Sequence, residues 1–344
     1  MKILITGGAG FIGCNLALGL VDLGHSVTVA DNLSRHGSEQ NIRLALDSGK
    51  AAQLVTVLQA DVRDSSAIAN ILVKSKEPYD TVVHLAGQTT VTESVTHPVD
   101  DFDVNARGTL MVLEAVRRHA PSAHVIFAST NKVYGDLRSI RVEKSQSRFT
   151  LPDYPEGISE SFPTNAISPY GCSKLVADNY VRDYATTYGM ATTVFRLSCI
   201  YGRWQNGMPG QGWVSWFVRC ALTGTELTIY GDGQQTRDLL HIQDLVDAFI
   251  PVITDRQGIG ETFNAGGGPA FSLSVWAEFG PMLEELVGRP VDVHFGERRI
   301  GDQDVYIRDC QKLSSALGWK PCLSPRDGTG DLVEWMASQL RNQR

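Results

Sequence analysis

The chain opens with Ile3-Leu4-Ile5 and turns at once through Gly7-Gly8-Ala9-Gly10-Phe11-Ile12-Gly13. Nothing else in the sequence limits the fold as much. The short apolar run reads as a buried strand, and the amphipathic stretch 12–23 reads as a helix. Gly7, Gly10 and Gly13, spaced three apart, permit a tight turn and a close approach of backbone to a ligand. The helix that follows offers unbonded N–H groups and the positive end of its dipole, which suits a pyrophosphate.

The same alternation recurs downstream. Apolar runs at 26–30, 54–59, 81–85 and 124–128 are separated by amphipathic stretches such as 106–119. Continuous apolar strands alternating with helices predict an α/β fold, a doubly wound parallel sheet of Rossmann type buried on both faces. Residues 136–168 are polar and carry three prolines, which predicts a long surface loop. A helix at 168–188 and a strand at 192–195 follow. Beyond Tyr201-Gly202, short apolar pieces alternate with Gly-rich turns at 207–212, 231–233 and 266–268. That pattern predicts a smaller C-terminal α/β domain for substrate, with helices near 283–287 and 332–340. The expected division gives residues 1–200, joined by about 234–258, to the dinucleotide domain. Residues 201–233 and 259–344 go to the other. A ligand cleft is expected at the carboxyl ends of the strands, between the two lobes.

With 42% apolar and 20% charged residues, the 344-residue chain has an ordinary globular composition. A net charge of -7 and the absence of Lys/Arg blocks argue against a nucleic-acid surface. A pocket with one or two arginines can still take a phosphorylated ligand. No apolar run reaches the ~20 residues of a membrane span, so no membrane partner is expected. The first strand starts at Lys2, so no signal peptide is expected. Cys14, Cys172, Cys199, Cys220, Cys310 and Cys322 show no C-x-x-C pair and no metal-ligand spacing. They predict free thiols, no metal site and a cytoplasmic location.

Asp31 ends the second strand, where a carboxylate accepts bonds from both adenosine ribose hydroxyls and repels a 2′-phosphate. NAD is therefore expected over NADP. Arg35 works the other way, since a guanidinium there can host that phosphate. Asp61-Val62 ends the third strand, where the carboxylate either reaches the adenine amine or caps a helix. His84-Leu85-Ala86-Gly87-Gln88 ends the fourth with small residues that leave room for the cofactor, His84 itself being packed.

Tyr170 and Lys174 stand at i and i+4 and share a helix face. A phenol is a poor base at neutral pH, and a nearby ammonium favours the phenolate. Tyr170 then removes a hydroxyl proton as hydride leaves the same carbon. Lys174 also holds the nicotinamide ribose. Thr130, with Ser129 as the second candidate, supplies a hydroxyl to the reacting oxygen. The alternative for that hydroxyl is a turn cap.

These motifs, in this order, resemble the extended short-chain dehydrogenase/reductases, a family of NAD-dependent enzymes acting on nucleotide sugars. The resemblance rests on Gly7 to Gly13, His84 to Gly87, Thr130 with Val133-Tyr134-Gly135, and Tyr170 to Lys174. It continues through Tyr230 to Asp238, followed by His241 and Asp244, and implies that Arg237 pairs with the substrate diphosphate. Arg299-Ile300-Gly301-Asp302 resembles a second element that reaches the same diphosphate. The resemblance implies cofactor contacts from Asn32 and Ser34 in Asp31-Asn32-Leu33-Ser34-Arg35. It also implies a homodimer or homotetramer, paired through helix 106–119 and the helix carrying Tyr170.

Dehydratases of that family carry an Asp-Glu pair after the active-site hydroxyl, where this chain has Asn131-Lys132. Without a carboxylic acid to protonate a leaving hydroxyl, a 4,6-dehydratase is disfavoured. Net reductases release NADP, and Asp31 argues against that class. An epimerase remains. Asp31 to Arg35, Ala86 to Gln88, Thr130 to Gly135, Ser168 to Lys174 and Gln211 to Phe217 are similar to the CDP-tyvelose (CDP-paratose) 2-epimerases. That similarity implies substrate contacts from Gln88, Thr130, Asn131, Lys132, Gln211, Trp213 and Val214. Trp213 and Trp216, at i and i+3, are equally consistent with a core. Cys199 stands where the 4-epimerases resemble one another in having Asn, which suits a 2-epimerase. Inversion at C4 of a UDP-hexose or UDP-uronate stays open, as does a non-catalytic NAD-binding sensor.

Overall fold

In the computed structural model, which describes residues 1–47, 49–298 and 302–342, the apolar runs become strands of one seven-stranded sheet. The strands are β1 (Lys2–Thr6), β2 (Ser26–Asp31), β3 (Val55–Gln59), β4 (Thr81–His84), β5 (His124–Thr130), β6 (Thr192–Leu197) and β7 (Thr262–Ala265). Their order across the sheet is β7-β6-β5-β4-β1-β2-β3. The chain leaves β1 toward β2 and β3, then returns to β4 and β5 on its other side. That reversal makes the sheet doubly wound, with its ligand crevice expected where β1 and β4 end. β1 pairs in parallel with β2 (Ile3↔Val27, Ile5↔Val29) and with β4 (Ile3↔Thr81, Ile5↔Val83). Ile3, Leu4, Ile5, Val27, Val29, Val82 and Val83 are wholly buried, so these strands read as continuous apolar runs rather than alternating ones.

Helices α1 (Phe11–Asp22), α2 (Ala67–Lys74), α3 (Gly108–His119) and α4 (Ser168–Tyr188) flank the sheet. Leu4, Val82, Val112, Val116, Val125, Phe127, Ala177 and Val181 belong to one apolar cluster, which seats α3 and α4 against the sheet. Each fully buried aliphatic side chain contributes about 1.5–3 kcal/mol. Pro169 lies in the first turn of α4, and Gly189 ends the helix at φ 66°. The helix expected from residue 106 starts instead at Gly108. Asp103–Arg107 before it form a π-helical turn, a form frequent at functional sites.

The chain divides into two compact units. One comprises Met1–Val133, Thr164–Arg196 and Val246–Phe263, and the other Tyr134–Pro163, Leu197–Leu245 and Asn264–Arg344. In the second, Leu227–Tyr230 pairs in parallel with Val293–Gly296, and Thr236–Asp238 lies between Ser272–Ser274 and Val305–Tyr306. Helices Trp213–Thr223, Phe279–Val287 and Pro325–Asn342 bury Phe217, Phe279, Leu283 and Leu332 in its core.

This boundary corrects the expected division. Residues 134–163 belong with the second unit, and of residues 234–258 only those from Val246 onward belong with the first. The reason lies in long-range ties that composition does not reveal. Ile158 is wholly buried, and its N–H donates to Ile307 O at 2.8 Å. The Asn264 amide donates to Ile158 O at 2.8 Å. Phe149 N–H donates to Thr236 Oγ1 at 3.0 Å, and that hydroxyl donates back to Phe149 O at 2.7 Å. The six cysteines are unpaired. Among the described residues no helix is long and apolar enough to cross a membrane.

Candidate active site

The glycine turn lies between β1 and α1. Gly10 caps α1 in an extended conformation with no side-chain bond to the helix. A Cβ on Gly7, at φ 70°, would stand 2.6 Å from Ala86 N, and one on Gly13 would stand 2.5 Å from Gly8 Cα. No side chain fits at either place, so the turn packs backbone against backbone. A Cβ on Gly10 would meet only Gly7 O, at 3.2 Å. The N–H groups of Phe11, Ile12 and Gly13 fall in the first turn of α1, where a helix supplies no acceptor. A bare, close-packed helix N-terminus at the end of β1 fits a dinucleotide pyrophosphate.

Around this turn the polar side chains hold one another. Asp31, 8% exposed, accepts Ala9 N–H at 3.1 Å and Leu33 N–H at 2.8 Å. Burial pushes its carboxyl up, and those two N–H groups act against the shift. Each carboxylate oxygen keeps a further lone pair for a ribose hydroxyl. Asn32 accepts the N–H and hydroxyl of Ser34 and donates to Asp61 at 3.0 Å. Asp61 also takes the Arg63 fork, which holds its carboxyl well below the usual range. It caps no helix, because α2 starts at Ala67 with Ser66 at the cap. Val62 is buried and packs where a Cβ on Gly108 would fall. Arg35 donates to Thr89 Oγ1 at 2.8 Å. Leu85 N–H donates to Thr6 O at 3.0 Å, continuing β4 past its last residue. The Gln88 amide bonds Thr90 at both ends, at 2.8 and 3.1 Å, and so spans its own loop. His84 lies between the hydroxyls of Thr6 and Thr109, and burial pulls it down to about 3.

Tyr170 and Lys174 are 9% and 6% exposed on α4, and Thr130, 6% exposed, ends β5. The Thr130 hydroxyl lies close enough to the Tyr170 phenol to favour its ionised form. Lys174 Nζ donates to Ala128 O at 2.7 Å and lies 4.2 Å over the Phe127 ring. A Cβ on Gly87 would come within 3.9 Å of that Nζ. The ammonium is thus fixed to β5. Burial pushes Tyr170 up to about 12, against the Thr130 hydroxyl and the charge of Arg35. Burial pulls Lys174 down to about 8, against Asp178 and Asp101. Thr130 Oγ1 also contacts Asn131 Oδ1 and accepts Lys132 N–H, both at 3.3 Å.

Ser129 is committed elsewhere. Its hydroxyl donates to Asp178 at 2.7 Å, and Arg196 grips the same carboxylate with two bonds of 3.0 Å. Sequence reasoning missed this buried trio, and it missed a second group. Asn105 donates to Asp101 at 3.1 Å and to Ser173 at 3.2 Å, and Ser173 donates to Asp101. Asn105 Oδ1 has no partner and lies 2.9 Å from where a Cβ on Gly87 would be. The available signal was Asp101 and Asn105 at i and i+4, with Ser173 between Tyr170 and Lys174.

The remaining candidates lie in the second unit. Arg237, 9% exposed, donates to Thr236 O at 2.8 Å and Gln303 O at 2.7 Å, with Asp302 at 4.0 Å. Arg299 lies outside the described residues. Gln211 pairs with Met208 through two backbone bonds of 2.9 and 3.0 Å. Cys199 is partly buried against the second core. Val214, 2% exposed, is part of that core, and the Trp213 ring packs edge-on to Phe217 and Phe279 at 5.2 and 5.0 Å. Among the described residues no group of three or more His, Cys, Asp or Glu is placed to hold a metal ion.

Residues 3–266 match the model of the NAD dependent epimerase/dehydratase family. The chain is 38% identical to a CDP-paratose 2-epimerase of Salmonella typhi, over 98% of this chain and 100% of that protein. It is similar to the structure of UDP-glucose 4-epimerase with UDP-glucose from Thermotoga maritima. That match has a TM-score of 0.85 and 30% identity, over 99% of this chain and 100% of that one. A dTDP-glucose 4,6-dehydratase from Bacillus anthracis in complex with NAD is also similar. Its TM-score is 0.81 and its identity 26%, over 99% of this chain and 98% of that one.

Proposed function

The chain belongs to the NAD dependent epimerase/dehydratase family and is an NAD-dependent sugar-nucleotide epimerase, and we propose that it inverts C2 of a CDP-linked hexose. The observation that carries this reading is the hydroxyl–phenol pair of Thr130 and Tyr170, followed by Asn131-Lys132 instead of a carboxylic acid. Such a site can move a proton and position a carbinol, but it lacks the acid that would expel water. The similarity to a CDP-paratose 2-epimerase supports CDP-paratose/CDP-tyvelose or CDP-glucose as substrate.

NAD, when held by the glycine turn, Asp31 and Lys174, would supply a reversible hydride acceptor, so no net oxidation would occur. Tyr170 takes the hydroxyl proton in the first half and gives it back in the second. Thr130 hydrogen-bonds the reacting oxygen throughout. Inversion requires the ketone to present its other face before hydride is returned to its carbon. Lys174, fixed on Ala128 O, holds the nicotinamide ribose. Asp31 accepts the adenosine ribose, Arg237 and Arg299 receive the diphosphate, and Asp302 contacts the substrate beside them, with Gln88, Cys199 and Gln211 nearer the sugar. A cytoplasmic location suits the six unpaired thiols. A homodimer suits the exposed Val99, Phe102, Tyr180 and Tyr188.

A proton NMR time course tests the reading, using purified protein without added NAD. CDP-glucose and CDP-paratose are incubated beside UDP-glucose and UDP-glucuronate. A new manno-configured anomeric signal from CDP-glucose, or conversion of CDP-paratose, is the expected outcome. A galacto-configured product from a UDP donor would move the reaction to C4 and leave the catalytic residues standing. No conversion of any donor, with Tyr170→Phe indistinguishable from the parent, would leave a non-catalytic NAD-binding protein.

A further inference from the structure

The order of the sheet places β1 between β2 and β4. Any contact between the loop after β2 and the loop after β4 therefore crosses the carboxyl end of β1, where the glycine turn begins. Such a contact exists. Arg35 Nη1 donates to Thr89 Oγ1 at 2.8 Å, joining residues 54 positions apart.

Both loops are stiffened from within. On the arginine side, Asp31 accepts Leu33 N–H and Asn32 accepts the N–H and hydroxyl of Ser34. Leu33 is held at φ 61°, a left-handed backbone uncommon for leucine, which these short side-chain bonds stabilise. On the threonine side, the Gln88 amide bonds Thr90 twice. Two preset loops thus present a long cation and a hydroxyl to each other above the turn. The guanidinium is half-buried and lies near enough to Glu93 to feel its charge, with the Tyr170 phenol also close by.

We propose that Arg35 and Thr89 form a clasp across the dinucleotide cradle, which must open before NAD can leave. The clasp rests on the reading of Gly7 to Gly13 as that cradle. Retention matters to an epimerase more than to a net oxidoreductase. If the cofactor left between the two half-reactions, the ketone would be stranded and the chain left inactive. The same bond draws Arg35 away from hosting a 2′-phosphate, so the residue that weakened the case for NAD instead secures it.

The experiment measures release of bound NAD from purified protein after gel filtration, by assaying free NAD against time. Thr89 is exposed, and Thr89→Val keeps the side-chain shape while deleting the hydroxyl. Release about tenfold faster is expected, the worth of one hydrogen bond to a charged group. Thr89→Ser should restore slow release, and Arg35→Met should match or exceed Thr89→Val. The double variant should release no faster than the faster single one, because one bond is lost either way. Parent-like release from Thr89→Val, or fully additive effects of the two changes, would overturn the clasp while leaving the cradle intact. A parent protein that carries no NAD and takes none up would overturn the cradle itself.

Discussion

Lys174 sits 6% exposed with its Nζ bonded to Ala128 O, and loss of water there pulls its ammonium down to about 8. In the unfolded chain a lysine titrates near ~10.4. Between those values the unfolded state holds the extra proton, so the contribution of Lys174 to stability rises with pH from about 8 and is complete above ~10.4. Cys14 and Cys310, pushed up to about 12 by burial, pull the other way above ~8.5. Tyr170, pushed up to about 12, begins to cost stability only above ~10. The readout is therefore the difference in unfolding free energy between parent and Lys174→Met, followed by urea titration from pH 7 to 10. That difference should be flat near pH 7 and then grow in the parent's favour, by up to about 1.4 kcal/mol per pH unit. A difference that stays flat to pH 10 would mean an ordinary lysine. A second prediction concerns Thr130→Val. Removing the hydroxyl deletes an interaction that lowers the Tyr170 proton affinity, so the acidic limb of the kcat–pH profile, where the base is lost to protonation, should move to higher pH. At neutral pH, kcat should fall by roughly 10²-fold or more. An unmoved limb would assign the hydroxyl to turn capping. The placement of Tyr170 and Lys174 on one helix and of Thr130 at a strand end was legible because that pattern is local. Asp101, Asn105 and Ser173 were not, because each becomes informative only through a partner brought from another element.

The helix that carries the reacting pair is held by a charge buried halfway along it. Asp178 is wholly buried and receives Arg196 and Ser129, which ties α4 to the ends of β5 and β6. Removing one partner of such a buried pair leaves the other charged and unsolvated, at a cost of about 3–5 kcal/mol. Asp178→Ala should therefore lower the urea midpoint at unchanged m, and Asp178→Leu combined with Arg196→Met should recover most of the loss. A loss below ~1 kcal/mol for Asp178→Ala would show that the pair carries no such burden. Elements of this kind were visible in the sequence wherever periodicity is strong. The strands read as apolar runs, and α4 was foreseen with the bounds Ser168–Tyr188. Residues 134–163 were not. Their polar, proline-bearing composition describes a surface loop, while Phe149 is tied to Thr236 and Ile158 to Asn264 and Ile307, all far along the chain. The packing of the Trp213 ring against Phe217 and Phe279 was equally hidden, since the i, i+3 pair Trp213 and Trp216 looks the same whether it faces core or ligand.

At the scale of the molecule, the first unit leaves more apolar surface in water than a lone chain requires. Val99 and Phe102 are 72% and 50% exposed on the helix Pro98–Phe102, and Tyr180 and Tyr188 are 41% and 51% exposed on α4. Arg117 stacks over Tyr188 at 4.9 Å and shares Glu114 with Arg118 and Tyr184, so the tyrosine end of α4 is already ordered. Clustered exposed aromatics with a preset polar rim are what an isologous interface is made from. A second copy of this chain is the expected occupant. A stable interface needs roughly 800 Å² from each partner, more than these four side chains alone provide, so α3 must contribute too. Each chain carries a net charge of -7, which opposes pairing at low ionic strength. The pairing should therefore tighten as salt is raised from about 0.01 to 0.15 M, because screening shortens the repulsion while apolar contact is untouched. Sedimentation velocity should show a dimer at micromolar concentration in the higher salt. Phe102→Glu with Tyr188→Glu should give a folded monomer, since both positions are exposed within the chain. Because α4 bears Tyr170 and Lys174 near its start, the monomer should also lose kcat while its far-ultraviolet circular dichroism is unchanged. A parent that sediments as a monomer under both conditions would assign this apolar face to something other than self-association.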